Sequence, residues 1–292
     1  MKGFIAVILV LLTLPAFADT LRLGSKYIWN ENLTDFGGFS GIDVNDDGIG
    51  FITISDRGRI VRGQFLRADG KIIGIKHSGV EQLKGTAAEP LSTDDSDSEG
   101  LALDGKGGFY VSFEINHRVW HYPNSPDQAV SLPPSPDFAQ LSRNSSLESL
   151  AIDANGTLYT LPERSGEWDR PFPVFRYQNG VWDRSLSIPR RGRYLAVGAD
   201  FGPDGKFYLL ERDFLWYRGF TNRIRRFDLT SAGFTNEVTL LTTEFGEHDN
   251  LEGLAVWQDQ GGIIHLTMIS DDNMFLLQDT EIVEYLLEPA QK

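Results

Sequence analysis

The chain has 292 residues, a formal net charge of −14 at pH 7 and no cysteine. Such an acidic chain repels nucleic acid and anionic lipid surfaces, so we expect neither as a partner. The lack of cysteine excludes thiol nucleophiles, cysteine-bound zinc and iron–sulfur clusters.

The first residues have the pattern of a secretory signal peptide. Lys2 supplies a positive charge, residues 4–14 are apolar, and residues 16–18 form a small-residue cleavage site. The apolar stretch is too short to span a membrane, so we expect no membrane insertion. Residues 1–18 are therefore expected to be removed. Residues 19–292 are expected to form one exported domain in a Gram-negative periplasm or beyond it, with a monomer favoured.

Five repeated units follow along the chain. Each unit has a short strand-like segment, a Gly-containing turn and a second strand that ends in an acidic residue. The first strands align at Gly41, Glu99, Glu148, Gly198 and Glu252, which lie 49 to 58 residues apart. Short runs of Val, Ile, Leu, Phe and Tyr between Gly, Asn and Asp turns are typical of β-hairpins. A repeat of this length and composition predicts an all-β fold, a β-propeller.

The spacing favours five blades, with six as the alternative if a loop contains a degenerate unit. The N-terminal segment 21–29 belongs to none of the five units. We expect it to pair with the C-terminal segment 281–287, because this pairing closes the ring and removes its open edge.

Three glutamates hold the same position in the first strands of three units: Glu99, Glu148 and Glu252. Ser40 and Val197 hold it in the other two. The inner strands of a propeller begin near its axis, so these carboxylates should converge and need a cation to stay ionised. Carboxylate oxygens favour Ca²⁺ first and Mg²⁺ second. The predicted metal ligands are Glu99, Glu148, Glu252, Asp271 and Asn273. In the alternative interpretation, these acids only accept backbone hydrogen bonds and hold neighbouring blades together.

The second strand ends in an acid followed by arginine in three units. These pairs are Asp56-Arg57, Glu163-Arg164 and Glu211-Arg212. The predicted catalytic residues are Glu163 or Glu211 as the base, with Arg57, Arg164 and Arg212 stabilising an anion. The alternative is a ring of salt bridges between blades. The acidic run at 94–99 is interpreted as a solvated loop, with a second Ca²⁺ site as its alternative.

Several of these motifs together resemble the bacterial family called esterase-like activity of phytase, a group of phytase-like secreted proteins. The resemblance covers roughly the whole chain after residue 18. Its motifs are Phe36–Ile42 with Ser55–Gly58, Ser98–Ala102, Leu147–Ala151 with Pro162–Arg164, and Asp249–Ala255 with Ser270–Asn273. Ser149 stands where glycine is usual. The resemblance implies a β-propeller from a group named for phosphatase or esterase activity, and it assigns no catalytic residue.

The inner glutamates are also similar, in local motif alone, to those of calcium-dependent propeller lactonases and gluconolactonases. In those proteins an early-strand Glu and a later Asn or Asp hold a divalent ion. Our functional hypothesis is an exported, divalent-cation-dependent hydrolase of phosphate or carboxylic esters, with a small-molecule substrate in the central funnel. The bound cation would give this acidic chain a local positive centre for phosphate. The alternatives are a non-catalytic propeller that binds a ligand or protein with structural calcium, and a cation-dependent lactonase.

Overall fold

Twenty strands form five antiparallel four-stranded sheets in a computed structural model that describes residues 19–33, 35–275 and 278–289. The predicted signal peptide at 1–18 lies outside these residues. The helices within them are two short 3₁₀ turns, Thr93–Asp95 and Pro136–Gln140. In the same ranges, no helix has the length and apolar character needed to cross a bilayer.

The strands follow the chain blade by blade. Strand β1 spans Thr20–Ile28 and precedes the first blade. The first blade contains β2 (Phe39–Val44), β3 (Gly50–Ser55), β4 (Arg59–Ala68) and β5 (Lys71–Gln82). The second blade contains β6 (Ser98–Leu103), β7 (Phe109–Phe113), β8 (Arg118–Tyr122) and β9 (Val130–Ser131). The third blade contains β10 (Ser149–Ile152), β11 (Leu158–Leu161), β12 (Phe172–Gln178) and β13 (Val181–Ile188). The fourth blade contains β14 (Leu195–Phe201), β15 (Phe207–Leu215), β16 (Gly219–Thr230) and β17 (Gly233–Thr242). The closing blade contains β18 (Asn250–Gln258), β19 (Ile264–Asp271), β20 (Glu281–Glu288) and β1.

The ring closes through the two ends of the chain. Strand β1 pairs antiparallel with β20, from Thr20 opposite Glu288 to Ile28 opposite Glu281. The five inner strands β2, β6, β10, β14 and β18 contact one another in this cyclic order. The structure is therefore a five-bladed β-propeller, and the predictions of blade number and of terminal pairing are confirmed.

The apolar core is divided among the interfaces between blades. Each of five buried clusters in the described residues joins side chains from two neighbouring blades. One cluster stacks Trp29 of the closing blade on Phe39 of the first blade, with ring centroids 5.4 Å apart. Burying these faces supplies the main stabilisation of the ring, because apolar area removed from water contributes about 25 cal/mol per Å².

Small residues let the inner strands approach one another closely. A Cβ atom on Gly253 would lie 2.6 Å from the backbone nitrogen of Ile42, and one on Gly198 would lie 2.4 Å from the carbonyl oxygen of Glu252. Such contacts are too short for any side chain, so these positions require glycine. Ser149 holds the corresponding position on β10, where it is buried and its Oγ lacks a hydrogen-bond partner. The tight ring that results leaves a narrow central channel.

Candidate functional site

The five inner strands begin at one end of the central channel, which we call the channel mouth. Glu99, Glu148 and Glu252 line the channel together with Ser40 and Val197, each from a different blade. The free volume of this part of the channel is about 10 Å³. Such a volume accommodates about one water molecule or ion. The structure therefore brings the three inner glutamates to one narrow point.

Two further acids join Glu99 at the channel mouth. One carboxylate oxygen from each of Asp97, Glu99 and Glu114 lies within 4.8 Å of the other two, and we call this group the carboxylate cluster. Glu114 follows the end of β7, and Asp97 directly precedes β6. Both oxygens of a carboxylate are acceptors, so the cluster offers several oxygen ligands to one ion.

Asp97 was missed as a site residue, because the sequence places it in the acidic run interpreted as a solvated loop. In that run Asp94 is exposed, whereas Asp97 is half-buried and faces the cluster. The available signal was its position two residues before Glu99, which on a strand puts both side chains on the same face.

Burial and mutual repulsion make these carboxyl groups hard to ionise. Burial first, and then the charges of Glu252 and Asp97, raise the pKa of Glu99 well above its ordinary value. Burial and the charge of Glu99 do the same to the pKa of Glu148. Burial and the charge of Glu114 raise the pKa of Asp97 to about 6. A cation would favour the ionised forms that this arrangement disfavours.

Arg212 is the buried cation of the channel mouth. Its Nη2 donates to Oε1 of Glu163 on the third blade, 3.1 Å away, and its Nη1 donates to Oε1 of Glu252 and to Oδ1 of Asn250. Asn250 Nδ2 also donates to Glu252 Oε1, at 3.0 Å. Although burial lowers it, the charges of Glu252 and Glu163 raise the pKa of Arg212 above its ordinary value. Arg212, on the fourth blade, therefore joins the third and closing blades and carries a fixed positive charge.

The three arginines that follow acidic strand ends do not share one environment. The side chain of Arg212 is 18% exposed, whereas those of Arg57 and Arg164 are 54% and 60% exposed. Arg164 donates to Oε2 of its neighbour Glu163 at 3.1 Å, and Arg57 lies 3.8 Å from Asp56. Arg212 therefore forms the predicted inter-blade salt bridge, whereas Arg57 and Arg164 are exposed and paired with their own neighbouring acids.

Glu163 and Glu211 occupy equivalent strand ends but have different partners. Glu163 is 5% exposed and reaches Arg212 at the channel mouth. Glu211 is fully buried, and its two oxygens accept from Arg223 and Arg225 on β16 at 2.7 to 2.8 Å. Neither glutamate is among the residues that line the narrow channel itself, but Glu163 is joined through Arg212 to Glu252, which does line it. These contacts favour Glu163 over Glu211 as the candidate base.

Residues 271–273 at the end of β19 contribute a buried carboxylate and also the contacts of a turn. Asp271 is buried, and burial with the charge of Glu252 raises its pKa to about 8. Its Oδ1 accepts from the backbone nitrogen of Asn273 at 2.7 Å. Asn273 itself is exposed in a turn with φ of 48°. Asp272 accepts from the backbone nitrogen of Gly38 at 2.9 Å and so ties the chain before β2 to the closing blade.

A wide cavity lies at the opposite end of the inner strands. It has a volume of about 1020 Å³, and Asp43 and Asp200 are part of its lining. Oδ2 of Asp43 accepts from the backbone nitrogen of Leu103 at 2.7 Å. Oδ2 of Asp200 accepts from the backbone nitrogen of Val256 at 2.6 Å. Each aspartate thereby bonds to the next inner strand. We assign the chemistry to the channel mouth, because the carboxylate cluster and Arg212 are there.

Solved structures resemble this chain at low sequence identity. An α-L-arabinofuranosidase from Podospora anserina, in complex with cellotriose, superposes with a TM-score of 0.55 at 12% identity, covering 94% of this chain and 98% of that one. A calcium-binding protein, regucalcin, from Agrobacterium tumefaciens gives a TM-score of 0.48 at 11% identity, with 87% and 77% covered. These likenesses concern the fold alone. No curated protein matches the sequence.

A family model matches residues 34–274, which is most of the chain and includes every inner strand and the whole carboxylate cluster. Its description is phytase-like, esterase-like activity of phytase. The resemblance seen in the sequence motifs is thereby confirmed: the chain belongs to the phytase-like family of esterase-like activity of phytase.

Proposed function

We propose that this protein is an exported, divalent-cation-dependent hydrolase of phosphate or carboxylic esters, acting on a small-molecule substrate at the channel mouth. The observation that carries the proposal is the carboxylate cluster, whose three oxygens lie within 4.8 Å of one another. Glu148 and Glu252 line the channel beside it, and Arg212 is placed on the other side of the mouth. Membership in a phytase-like family agrees with ester hydrolysis.

The donor set fits a hard divalent cation. Asp97, Glu99 and Glu114 offer carboxylate oxygens, the ligands that Ca²⁺ and Mg²⁺ prefer. Oδ1 of Asp56 is buried without a hydrogen-bond partner, and the charge of Asp56 contributes to the raised pKa of Glu99. A buried carboxylate oxygen that lacks a hydrogen-bond partner is costly. We therefore assign the ion to the carboxylate cluster, with Ca²⁺ first and Mg²⁺ second.

The cation, when bound, would polarise an ester oxygen and lower the pKa of a coordinated water. The remaining roles belong to the chain itself. Glu163 is placed to accept a proton from the attacking water, because it is buried at the mouth and Arg212 fixes its Oε1. Arg212 stabilises the negative charge that develops on the substrate, and two carboxylates hold its guanidinium in position. Arg57 and Arg164 are exposed enough to attract an anionic substrate.

The test is turnover of 4-nitrophenyl phosphate, 4-nitrophenyl acetate and a simple lactone in the presence of Ca²⁺, Mg²⁺ or EDTA. We expect cation-dependent ester hydrolysis that is lost when Glu99, Glu148 and Glu252 are together replaced by alanine. The matched control replaces three exposed glutamates, Glu81, Glu89 and Glu244, and changes the net charge equally. Full activity of the site variant, or no cation-dependent turnover of any ester, would contradict the proposal. Ring opening of the lactone alone would instead favour a lactonase.

A further inference from the structure

Arg190 is a buried arginine beside the channel mouth. It follows β13 and is only 9% exposed. Its Cζ lies 4.6 Å from the ring centroid of Trp168 and 5.5 Å from that of Phe172. Arginine packs well against aromatic rings, and such contacts fix the plane of its guanidinium.

The hydrogen bonds of Arg190 leave one side of the guanidinium open. Nε donates to the carbonyl oxygen of Gly192 at 3.3 Å, and Nη1 donates to Ser165 Oγ at 3.2 Å and to the carbonyl oxygen of Glu167 at 3.1 Å. All three acceptors are neutral. In the ranges that the structure describes, Nη2 has no protein partner, and it is not among the buried nitrogens that lack one, so it reaches solvent.

The structural role of Arg190 accounts for only part of this arrangement. Its hydrogen bonds hold the loop that follows β11, which explains Nε and Nη1. They do not neutralise its charge, because no carboxylate oxygen of the described residues lies within 4.0 Å of its nitrogens. A buried charge without a counter-ion is costly. An anionic ligand at Nη2 would supply the missing charge.

Arg190 is close to the candidate reaction site. Ser165, which Arg190 binds, is two residues after Glu163, and Glu163 in turn binds Arg212 at 3.1 Å. Burial and the charge of Arg164 lower the pKa of Arg190, while the charges of Glu163 and Glu211 act in the opposite direction without forming an ion pair with it. Arg190 therefore shares the electrostatic environment of Arg164 and Glu163. The channel mouth therefore has a carboxylate side and an arginine side.

We infer that Arg190 binds an anionic group of the substrate that is separate from the ester, an inference that rests on the proposed function. The two N–H groups of Nη2 donate to the oxygens of a carboxylate or a phosphate. Trp168 is 63% exposed and lies against Arg190, so it offers an apolar surface to the part of the substrate next to that anion. The preferred substrates accordingly carry a carboxylate or a phosphate in addition to the ester that is cleaved.

The binding test uses inorganic phosphate and succinate as probes, titrated calorimetrically into the protein in EDTA. We expect Arg190→Met to lower the affinity for the probe roughly 10- to 100-fold, as for the loss of a charge-assisted hydrogen bond. The control is Arg191→Met, because Arg191 is exposed and paired with Glu237 at 2.7 Å. The probe that binds distinguishes phosphate from carboxylate recognition. Equal affinity in wild type and Arg190→Met, or no binding of either probe to wild type, would overturn the inference.

The kinetic test compares 4-nitrophenyl butyrate with mono-4-nitrophenyl succinate, which differ in the terminal carboxylate. Arg190→Met should raise KM for the charged ester about tenfold or more and leave the neutral ester nearly unchanged. If that variant does not fold, Trp168→Ala is the substitute, because the Trp168 side chain is largely exposed and its removal should not prevent folding. Trp168 packs against Arg190, so its loss should raise KM for the charged ester selectively, by less than Arg190→Met. Equal losses on both esters would overturn the inference. If wild type hydrolyses neither ester, it is not a carboxylic esterase of this kind; turnover of 4-nitrophenyl phosphate then still tests the proposed function, and calorimetry still decides the role of Arg190.

Discussion

Replacing Arg212 with methionine removes the cation that joins the third, fourth and closing blades at the channel mouth. The side chains of Arg212, Glu163 and Glu252 are 18%, 7% and 10% exposed. Removing one partner of such a buried ion pair costs about 3–5 kcal/mol, because it leaves the other charges unpaired. An exposed pair such as Arg22 with Glu288, with side chains 57% and 52% exposed, contributes only about 0–1 kcal/mol. We therefore expect a much larger loss of unfolding free energy from Arg212→Met than from Arg22→Met.

This loss should depend on pH in a defined direction. Burial is the largest influence on the pKa of Glu252 and raises it, while Arg212 is the next largest and lowers it. Without Arg212 the folded state holds the Glu252 proton more tightly than the unfolded state. The free energy of unfolding of Arg212→Met therefore rises, compared with that of wild type, as the pH falls toward the ordinary pKa of glutamate. The difference between wild type and Arg212→Met should be larger at pH 8 than at pH 5.

The assay is urea unfolding of wild type, Arg212→Met and Arg22→Met at pH 8 and pH 5 in EDTA. Linear extrapolation gives the free energy of unfolding for each variant. A loss for Arg212→Met that is no larger than the loss for Arg22→Met would refute the assignment of Arg212 as a buried counter-charge. An equal loss at both pH values would refute the contribution of Glu252.

Three further predictions concern the acids and the ring. Asp271→Asn should be more stable than wild type at pH 9 in EDTA and equally stable near pH 4. The reason is that the pKa of Asp271 is about 8 in the folded state and ordinary in the unfolded state, so folding at pH 9 buries a charge only in wild type. A difference in melting temperature between the two proteins that widens as the pH falls would contradict this. Glu211→Gln should cost about 3 kcal/mol in urea unfolding, because it leaves Arg223 without its carboxylate and Arg225 with Glu237 alone. It should leave calcium affinity unchanged in calorimetry, and the opposite pattern would make Glu211 a site residue. Gly253→Ala should cost about 1–3 kcal/mol of unfolding free energy through overpacking. The control, Gly74→Ala, should change stability little, because its Cβ would lie 3.4 Å from its nearest neighbour. Equal effects of the two substitutions on urea unfolding would contradict the close approach of the inner strands.

The sequence was sufficient to predict the ring and the position of its inner glutamates. The repeat fixes which residues begin each inner strand, and cyclic packing then brings Glu99, Glu148 and Glu252 to one point. This step needs no knowledge of side-chain partners. The terminal pairing was equally accessible, because a propeller with an unpaired edge strand would be exposed to aggregation.

The partners of individual side chains were not accessible in the same way. Glu163 and Glu211 end equivalent strands, yet Glu211 is neutralised within its own blade by Arg223 and Arg225. That outcome depends on the register of β15 against β16, which places Arg223 directly opposite Glu211. Asp97 was obscured for a related reason, since composition does not show which acid of a run turns inward.

The most direct test of the central claim is a crystal structure determined with millimolar calcium, read for an ion at the channel mouth. We predict one Ca²⁺ bound by oxygens of Asp97, Glu99 and Glu114, with Glu148 and Glu252 nearby. A well-ordered channel mouth without any ion, or calcium bound only elsewhere on the chain, would contradict it.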